Sequence, residues 1–241
     1  MKIKLLLLIM TLVSLQLFCQ EVKVNNLNCS IGSDLVSSYL WRAIPQGKMP
    51  AIQPWGELSY KGLSIGTWGS YEFGGDFKEI DLYAKFTHKS FTLVFTDLFF
   101  PEYTGLNQDY FNFKNATTGH AAELGISFNG TESIPLSVYS GIILYGTAID
   151  PKVSDSNQLN RSVYLELNYF GNINKLSYNI FAGLTPSSSV LYGTNGFSVF
   201  NLGASVKKEL QISETFSMPV KLTLATNTVT RKLHIAAAIS L

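Results

Sequence analysis

After residue 28, apolar and polar residues alternate with a period of two almost to the end of the chain. Such alternation belongs to strands with one apolar and one polar face, and it leaves little room for helices. Leu63-Ser-Ile-Gly-Thr-Trp-Gly-Ser-Tyr-Glu-Phe73, Ile80-Asp-Leu-Tyr-Ala-Lys-Phe86 and Val163-Tyr-Leu-Glu-Leu-Asn-Tyr169 show it most clearly. Twelve segments can be drawn: 28–42, 51–60, 63–73, 78–87, 91–100, 119–128, 135–146, 161–170, 175–184, 197–207, 217–226 and 231–241. Most are close to the roughly 9–11 residues that a tilted strand needs to cross a bilayer. No apolar run after Phe18 approaches the roughly 18–20 residues of a spanning helix, so a membrane could be crossed only by strands.

The connections alternate in length. With the first strand running outward, the outer loops are 43–50, 74–77, 101–118, 147–160, 185–196 and 227–230. The inner turns are 61–62, 88–90, 129–134, 171–174 and 208–216. The three longest connections all fall on the outer side, as they do in outer-membrane barrels. The last segment, Lys232-Leu-His-Ile-Ala-Ala-Ala-Ile-Ser-Leu241, has one apolar face and ends with the chain. A final strand of this kind closes such a barrel against its first strand and presents it to the barrel-assembly machinery. The usual last residue is aromatic; here it is Leu241.

The N-terminus reads Met1-Lys-Ile-Lys4 and then runs apolar from Leu5 to Phe18. A basic start, a short apolar stretch and an early stop describe a secretory signal peptide, with cleavage near Cys19/Gln20. Its removal takes Lys2 and Lys4 and leaves 16 basic residues against 17 acidic. That balance offers no basic face for nucleic acid. Cys29 would be the only cysteine left, so no disulfide is expected within the chain. The expected architecture is all-β: a signal peptide at 1–19, a short periplasmic segment at 20–27, and a single antiparallel up-and-down transmembrane barrel of about twelve strands at 28–241.

Soluble barrels also alternate, and the chemistry of the two faces separates the cases. One face carries Leu, Ile, Val and aromatics; the other carries charge together with small Gly and Ser. With the signal peptide and the loop asymmetry, this favours apolar residues facing lipid and polar residues facing a lumen. Tyr39, Trp41, Tyr60, Tyr71, Phe73, Tyr169 and Phe170 lie near strand ends, where interface girdles form. Two details resist the pattern. Asp97 is in phase with Phe91, Leu93 and Phe95, which requires a mixed face or a bulge. Pro54 interrupts the second strand and removes a ladder donor, which suits the outer rim.

Ser33-Asp-Leu-Val-Ser-Ser-Tyr-Leu-Trp-Arg42, with Gln53-Pro54, Gly66-Thr-Trp-Gly-Ser70 and Glu79-Ile-Asp-Leu-Tyr83, resembles the TorF-type family of porins, small bacterial outer-membrane barrels. The N-terminal half carries the specific motifs. The family has Gly after the Arg where this chain has Ala43. The resemblance implies a fold and a location in the outer membrane, and carries no transport substrate.

Twelve strands lie between eight, which leave an interior filled by side chains, and sixteen or more, which leave an aqueous channel. A narrow or plugged lumen is therefore expected. The phase assigns Asp34, Glu57, Glu72, Glu79, Asp81, Glu123 and Glu166 to the interior. It also assigns Arg42, Lys85, Lys207, Lys221, Lys232 and His234 there. The acid excess makes the lumen weakly acidic and favours cations modestly, unless the charges pair across it and brace it. Trp68, Tyr83 and Tyr164 share the interior phase and could fill space or form a stacking slide. The expected function is passive passage of small solutes through the lumen. The alternative is a closed barrel whose outer loops 101–118, 147–160 and 185–196 bind a partner or surface.

A third reading, an outer-membrane hydrolase, needs a base near an outer strand end. His88 falls in an inner turn, His120 opens a strand on the lipid or interface side, and His234 is lumenal. No nucleophile motif surrounds a serine, so no catalytic residue is assigned and an enzyme is not expected. No His/Cys/Asp cluster has metal-ligand spacing, and no cofactor is expected.

Overall fold

The computed structural model describes residues 26–101, 109–114, 117–146, 162–214 and 216–241. The expected signal peptide, the segment 20–25 and the outer loop 147–160 lie outside the described residues, as does much of loop 101–118. The strands are β1 (Leu27–Val36), β2 (Tyr39–Trp41), β3 (Ile44–Gln46), β4 (Ala51–Tyr60), β5 (Leu63–Glu72), β6 (Lys78–His88), β7 (Phe91–Phe99), β8 (His120–Phe128), β9 (Leu136–Gly146), β10 (Val163–Ile173), β11 (Leu176–Thr185), β12 (Ser198–Gln211), β13 (Ser217–Asn227) and β14 (Lys232–Ser240). Twelve of them close into one antiparallel barrel. β2 and β3 stand apart as a two-stranded hairpin.

The wall follows the alternation. Leu63, Ile65, Phe86, Phe91, Leu93, Leu233 and Ile235 all point outward and are at least half exposed. Their neighbours along each strand turn inward and include Ser70, Glu79, Asp81 and Glu123, all buried. A soluble barrel would reverse these faces, because burying apolar surface is what holds it together. Here the wall is held by backbone ladders, and the buried contacts gather inside the lumen. Leu98 and Ala121 form one such cluster, and Tyr164, Tyr192 and Phe200 form another.

Closure joins β14 to β1 through a short seam, Asp34↔Ser240, Leu35↔Ile239 and Val36↔Ala238. Ser33 and Leu241 extend it by exchanging two backbone hydrogen bonds of 3.2 and 2.8 Å. The seam is short at both ends: the first strand leaves the wall at Val36, and Leu27–Gly32 of β1 lie past the pairing of Ser33 with Leu241. The expected strand 28–42 is a wall strand only to Val36; its last residues turn inward and become β2.

The two irregularities resolve differently from one another. The β6–β7 and β7–β8 ladders run without a shift, so no bulge rescues the phase of Asp97 and it stands on the outer face. The bulges lie at Ala122/Glu123, between β8 and β9, and at Gly183/Leu184, between β11 and β12. Pro54 pairs with Ser33 on the β1 side, while the β4–β5 ladder lapses from Ile52↔Tyr71 to Trp55↔Trp68. The missing proline N–H accounts for that lapse.

Candidate functional site

The first outer connection folds into the barrel and occupies part of its lumen. Trp41 pairs with Ile44, so Arg42 and Ala43 are the two central residues of a tight hairpin turn. Both have left-handed backbone, with φ of 53° and 55°. That is the geometry of a type I′ turn, which matches the twist of its strands but normally recruits Asn or Gly. Ala43 is buried here, at the tip of the turn.

Arg42 fixes this tip to the opposite wall. Its Nη2 donates to both carboxylate oxygens of Glu123, at 2.8 and 2.7 Å, and its Nη1 donates to the Tyr192 hydroxyl at 2.5 Å. The guanidinium lies 4.2 Å from the Tyr164 ring centroid and 4.4 Å from that of Trp41. The Tyr139 hydroxyl donates to Glu123 from the other side. Only about a tenth of either charged side chain reaches solvent, at 9% and 10%. Burial opposes the Arg42 charge, but Tyr192 and Glu123 outweigh it and hold the guanidinium above its ordinary pKa. Tyr192, on the outer connection between β11 and β12, is pushed up to about 12, chiefly by burial.

The rest of the hairpin is fastened at its base and along one side. Glu72 accepts the backbone N–H groups of Lys48 and Met49 just after β3, and that of Phe77 at 3.2 Å. Tyr39 packs on Trp68 and Phe77, with ring centroids 5.2 and 6.0 Å apart. The hairpin therefore leans on β5–β9 and, through Trp41, Ile44 and Arg42, on Tyr164, Tyr192 and Phe200. Next to that contact a cavity of about 360 Å³ is lined by Trp41, Phe77, Glu79 and Ile143. On the other side a larger cavity of about 570 Å³ runs between the hairpin and the wall formed by β10–β14 and β1. It is lined by Asp34, Glu166, Lys207, Lys221 and a set of Asn, Ser and Thr side chains.

The charges assigned to the interior separate into groups. Glu57 pairs with Lys85 at 2.5 Å and accepts the Tyr83 hydroxyl at 2.9 Å. Glu123 is taken by Arg42, and Glu72 by backbone N–H groups. Glu79 and Asp81 are buried on one face of β6, each with one oxygen lacking a hydrogen-bond partner. The acid excess thus resides beside the hairpin. In the larger cavity, Asp34 and Glu166 are matched by Lys207 and Lys221. Lys232 and His234 share the inward phase of β14, and the His234 Nε2 is buried without a partner.

Two expectations about the aromatic residues need correction, and a third point is settled. Tyr39 and Trp41 are not girdle residues; they belong to the hairpin and pack inside. Phe170 shares the inward phase of Glu166 and Asn168, whereas Tyr60, Tyr71, Phe73 and Tyr169 are exposed on the wall. No stacking slide is open: Trp68 lies against Tyr39, Tyr164 is covered by Arg42 and Phe200, and Tyr83 serves Glu57.

His120 does stand on the outward face, but it is only 1% exposed. Its Nδ1 lies 2.9 Å from Asp97 Oδ1, and its Nε2 lies 2.7 Å from the Tyr110 carbonyl. Phe113 stacks on its ring at 4.5 Å, so the described part of loop 101–118 covers it from outside the wall. Sequence reasoning also missed Tyr192 and Tyr139 as partners of Arg42, and the carboxamides of Asn168, Asn179 and Asn201. The pairing of Arg42 with residues 81 and 150 positions away leaves no local signal.

Comparison of the sequence with known protein families and with curated proteins found no match to either.

Proposed function

We propose that the chain is an outer-membrane barrel through which small solutes pass, with the β2–β3 hairpin narrowing the lumen. The observation that carries this reading is the inversion of the faces: an exposed apolar wall around a polar, partly empty interior. Such a wall is stable in lipid, where a closed barrel satisfies every backbone group. The export signal, the alternating loop lengths and the resemblance to TorF-type porins support the same location. Insertion would proceed through the assembly machinery that receives the β14 strand. The lumen is weakly acidic at Glu79 and Asp81 and balanced in the larger cavity, so any cation preference is small. No catalytic role is assigned to the histidines.

A second reading, a closed barrel that presents its outer loops to a partner, is favoured by the Arg42 contacts, which hold the hairpin in place. Single-channel current across a planar bilayer, with the protein refolded from residue 20, separates the two. Discrete openings under a salt gradient support passage, and the reversal potential reports the ion preference. A folded barrel that is silent both as the parent and with the hairpin released would remove the pore reading.

A further inference from the structure

One stretch of the wall has an edge without a partner. β1 pairs with β4 along its whole length, from Leu27↔Tyr60 to Val36↔Ala51. On the other side β14 meets it only from Ser33 upward, where Ser33 and Leu241 exchange two backbone hydrogen bonds. Ser33 and Ser37 both aim their N–H groups at the β14 side. The edge groups of a strand alternate, so the N–H and C=O groups of Leu27, Cys29 and Ile31 point the same way. Among the described residues, no strand meets them there.

This stretch belongs to the lipid-facing wall. Leu27 and Ile31 are exposed on its outer face, and so are Leu58, Tyr60 and Leu63 beside them. Hydrocarbon offers no hydrogen bonds, so a wall at this height needs its backbone groups paired. An open edge here calls for another strand.

The sequence before β1 has the pattern such a strand needs. Asn26, the first described residue, has left-handed backbone with φ of 71°, so the chain enters β1 through a turn. Asn25-Asn26 is made of the residue type that two-residue hairpin turns recruit. Gln20-Glu-Val-Lys-Val24 precedes it and alternates. Folding back about Asn25-Asn26 sets Val24 against Leu27, Lys23 against Asn28, Val22 against Cys29, Glu21 against Ser30 and Gln20 against Ile31. Two features agree with that register. The residues flanking a two-residue hairpin turn form a hydrogen-bonded pair, and Leu27 has its groups turned to the open side. Opposed residues share a face, so Val22 and Val24 join Leu27 and Cys29 towards lipid, while Glu21 and Lys23 join Asn28 and Ser30 towards the lumen. Gln20 then lies opposite Ile31 and Leu241 opposite Ser33, with only Gly32 left between them.

From this geometry we infer that residues 20–24 dock on the open edge of β1 as an added strand, in line with β14, so that the two ends of the exported chain share one strand position in the wall. The inference rests on the outer-membrane reading for the lipid face and for a chain that starts near residue 20, and not on the passage of solute.

The protein refolded from residue 20 in detergent micelles tests this through Cys29, which is exposed and is its only cysteine. Under copper–phenanthroline oxidation, Val22→Cys should close a disulfide to Cys29 at least about tenfold faster than Lys23→Cys, because position 22 shares the Cys29 face and position 23 points to the other. Removing residues 20–24 should lower the urea midpoint, and Val24→Asp should lower it more than Lys23→Asp does. A heat-modifiable gel band confirms that each variant is folded. Similar oxidation rates for the two cysteine variants, or an unchanged urea midpoint on removal of the segment, overturn the inference. So does a Cys29–Cys29 dimer of the parent, which would put a second copy on the edge. Similar rates in a barrel that conducts remove only this strand, whereas a silent barrel with the register-specific disulfide keeps the strand and removes the pore.

Discussion

Replacing Arg42 by Met should release the hairpin without opening the wall. The substitution keeps an unbranched side chain that still rests on Tyr164 and Trp41, but it removes three hydrogen bonds and leaves the Glu123 carboxylate without its cation. Breaking a buried ion pair from one side costs about 3–5 kcal/mol. The lower end applies here, because a tenth of each side chain meets solvent and Tyr139 still donates to Glu123. About 3 kcal/mol shifts the ratio of docked to released hairpin by about two orders of magnitude. The wall ladders do not involve Arg42, so the cost should fall on the hairpin and not on the barrel. A thiol at position 43, buried in the parent, reports release. In a Cys29→Ser, Ala43→Cys background, the rate of modification by a bulky polar maleimide should rise with the released fraction. Adding Glu123→Gln to Arg42→Met should recover part of the loss, since no orphaned charge then remains. If Arg42→Met leaves the labelling rate unchanged, the guanidinium does not hold the hairpin and the argument is wrong.

Three other changes have definite expected outcomes. Ala43→Gly places the residue that tolerates φ of 55° at the hairpin tip and should strengthen docking by about 1 kcal/mol, read as slower protease cleavage after Lys48. Asp81→Asn removes one of two neighbouring buried carboxylates and offers Glu79 a donor; it should stabilise the barrel by about 1 kcal/mol or more, seen as a higher urea midpoint. His120→Leu leaves Asp97 exposed to apolar surroundings and costs about 2–3 kcal/mol, whereas Asp97→Leu with His120→Leu should cost much less; urea midpoints for the singles and the double measure the coupling.

The wall was legible because each of its strands obeys the same period of two, and the structure sets twelve of them in the expected order. The hairpin was not legible for the same reason. Alternation continues through Tyr39-Leu-Trp41 whether that segment extends a wall strand or forms a separate ribbon, so the pattern could not mark the departure at Val36. A turn signal would have marked it, but Arg42-Ala43 adopts left-handed backbone without Gly or Asn. The turn is held by contacts that its own sequence does not advertise. Glu123 and Tyr192, which anchor it, look locally like any inward acid and any loop tyrosine. The interior charges were assignable by phase, but phase gives the side of a strand and not the partner across a lumen. The expected acidity was therefore a sum over residues that the structure divides into a braced pair at Glu57 and Lys85, a latch at Arg42 and Glu123, a balanced cavity, and two buried acids at Glu79 and Asp81 that carry the excess.

Asp97 and His120 show what a closer reading of the sequence could have recovered. Each is a polar residue on an apolar face, and each alone looks like an error of phase or an interfacial accident. Placed on adjacent strands joined by one connection, they come to the same height, since Asp97 opposes Ala122 and His120 opposes Phe99. A polar group facing lipid is costly unless it is paired. Two violations of the apolar face at matching height on neighbouring strands are therefore better explained together than apart, as a pair that satisfies itself. The pair then needs cover, and the connection leaving that end of β7 supplies Tyr110 and Phe113 above it. The same reasoning applies inside the barrel with the opposite sign. There, polar groups are the rule, and the informative residues are those that remain without partners after every neighbour has been counted. Asn179 and Asn201 are conspicuous on that basis, although neither departs from the pattern of its strand.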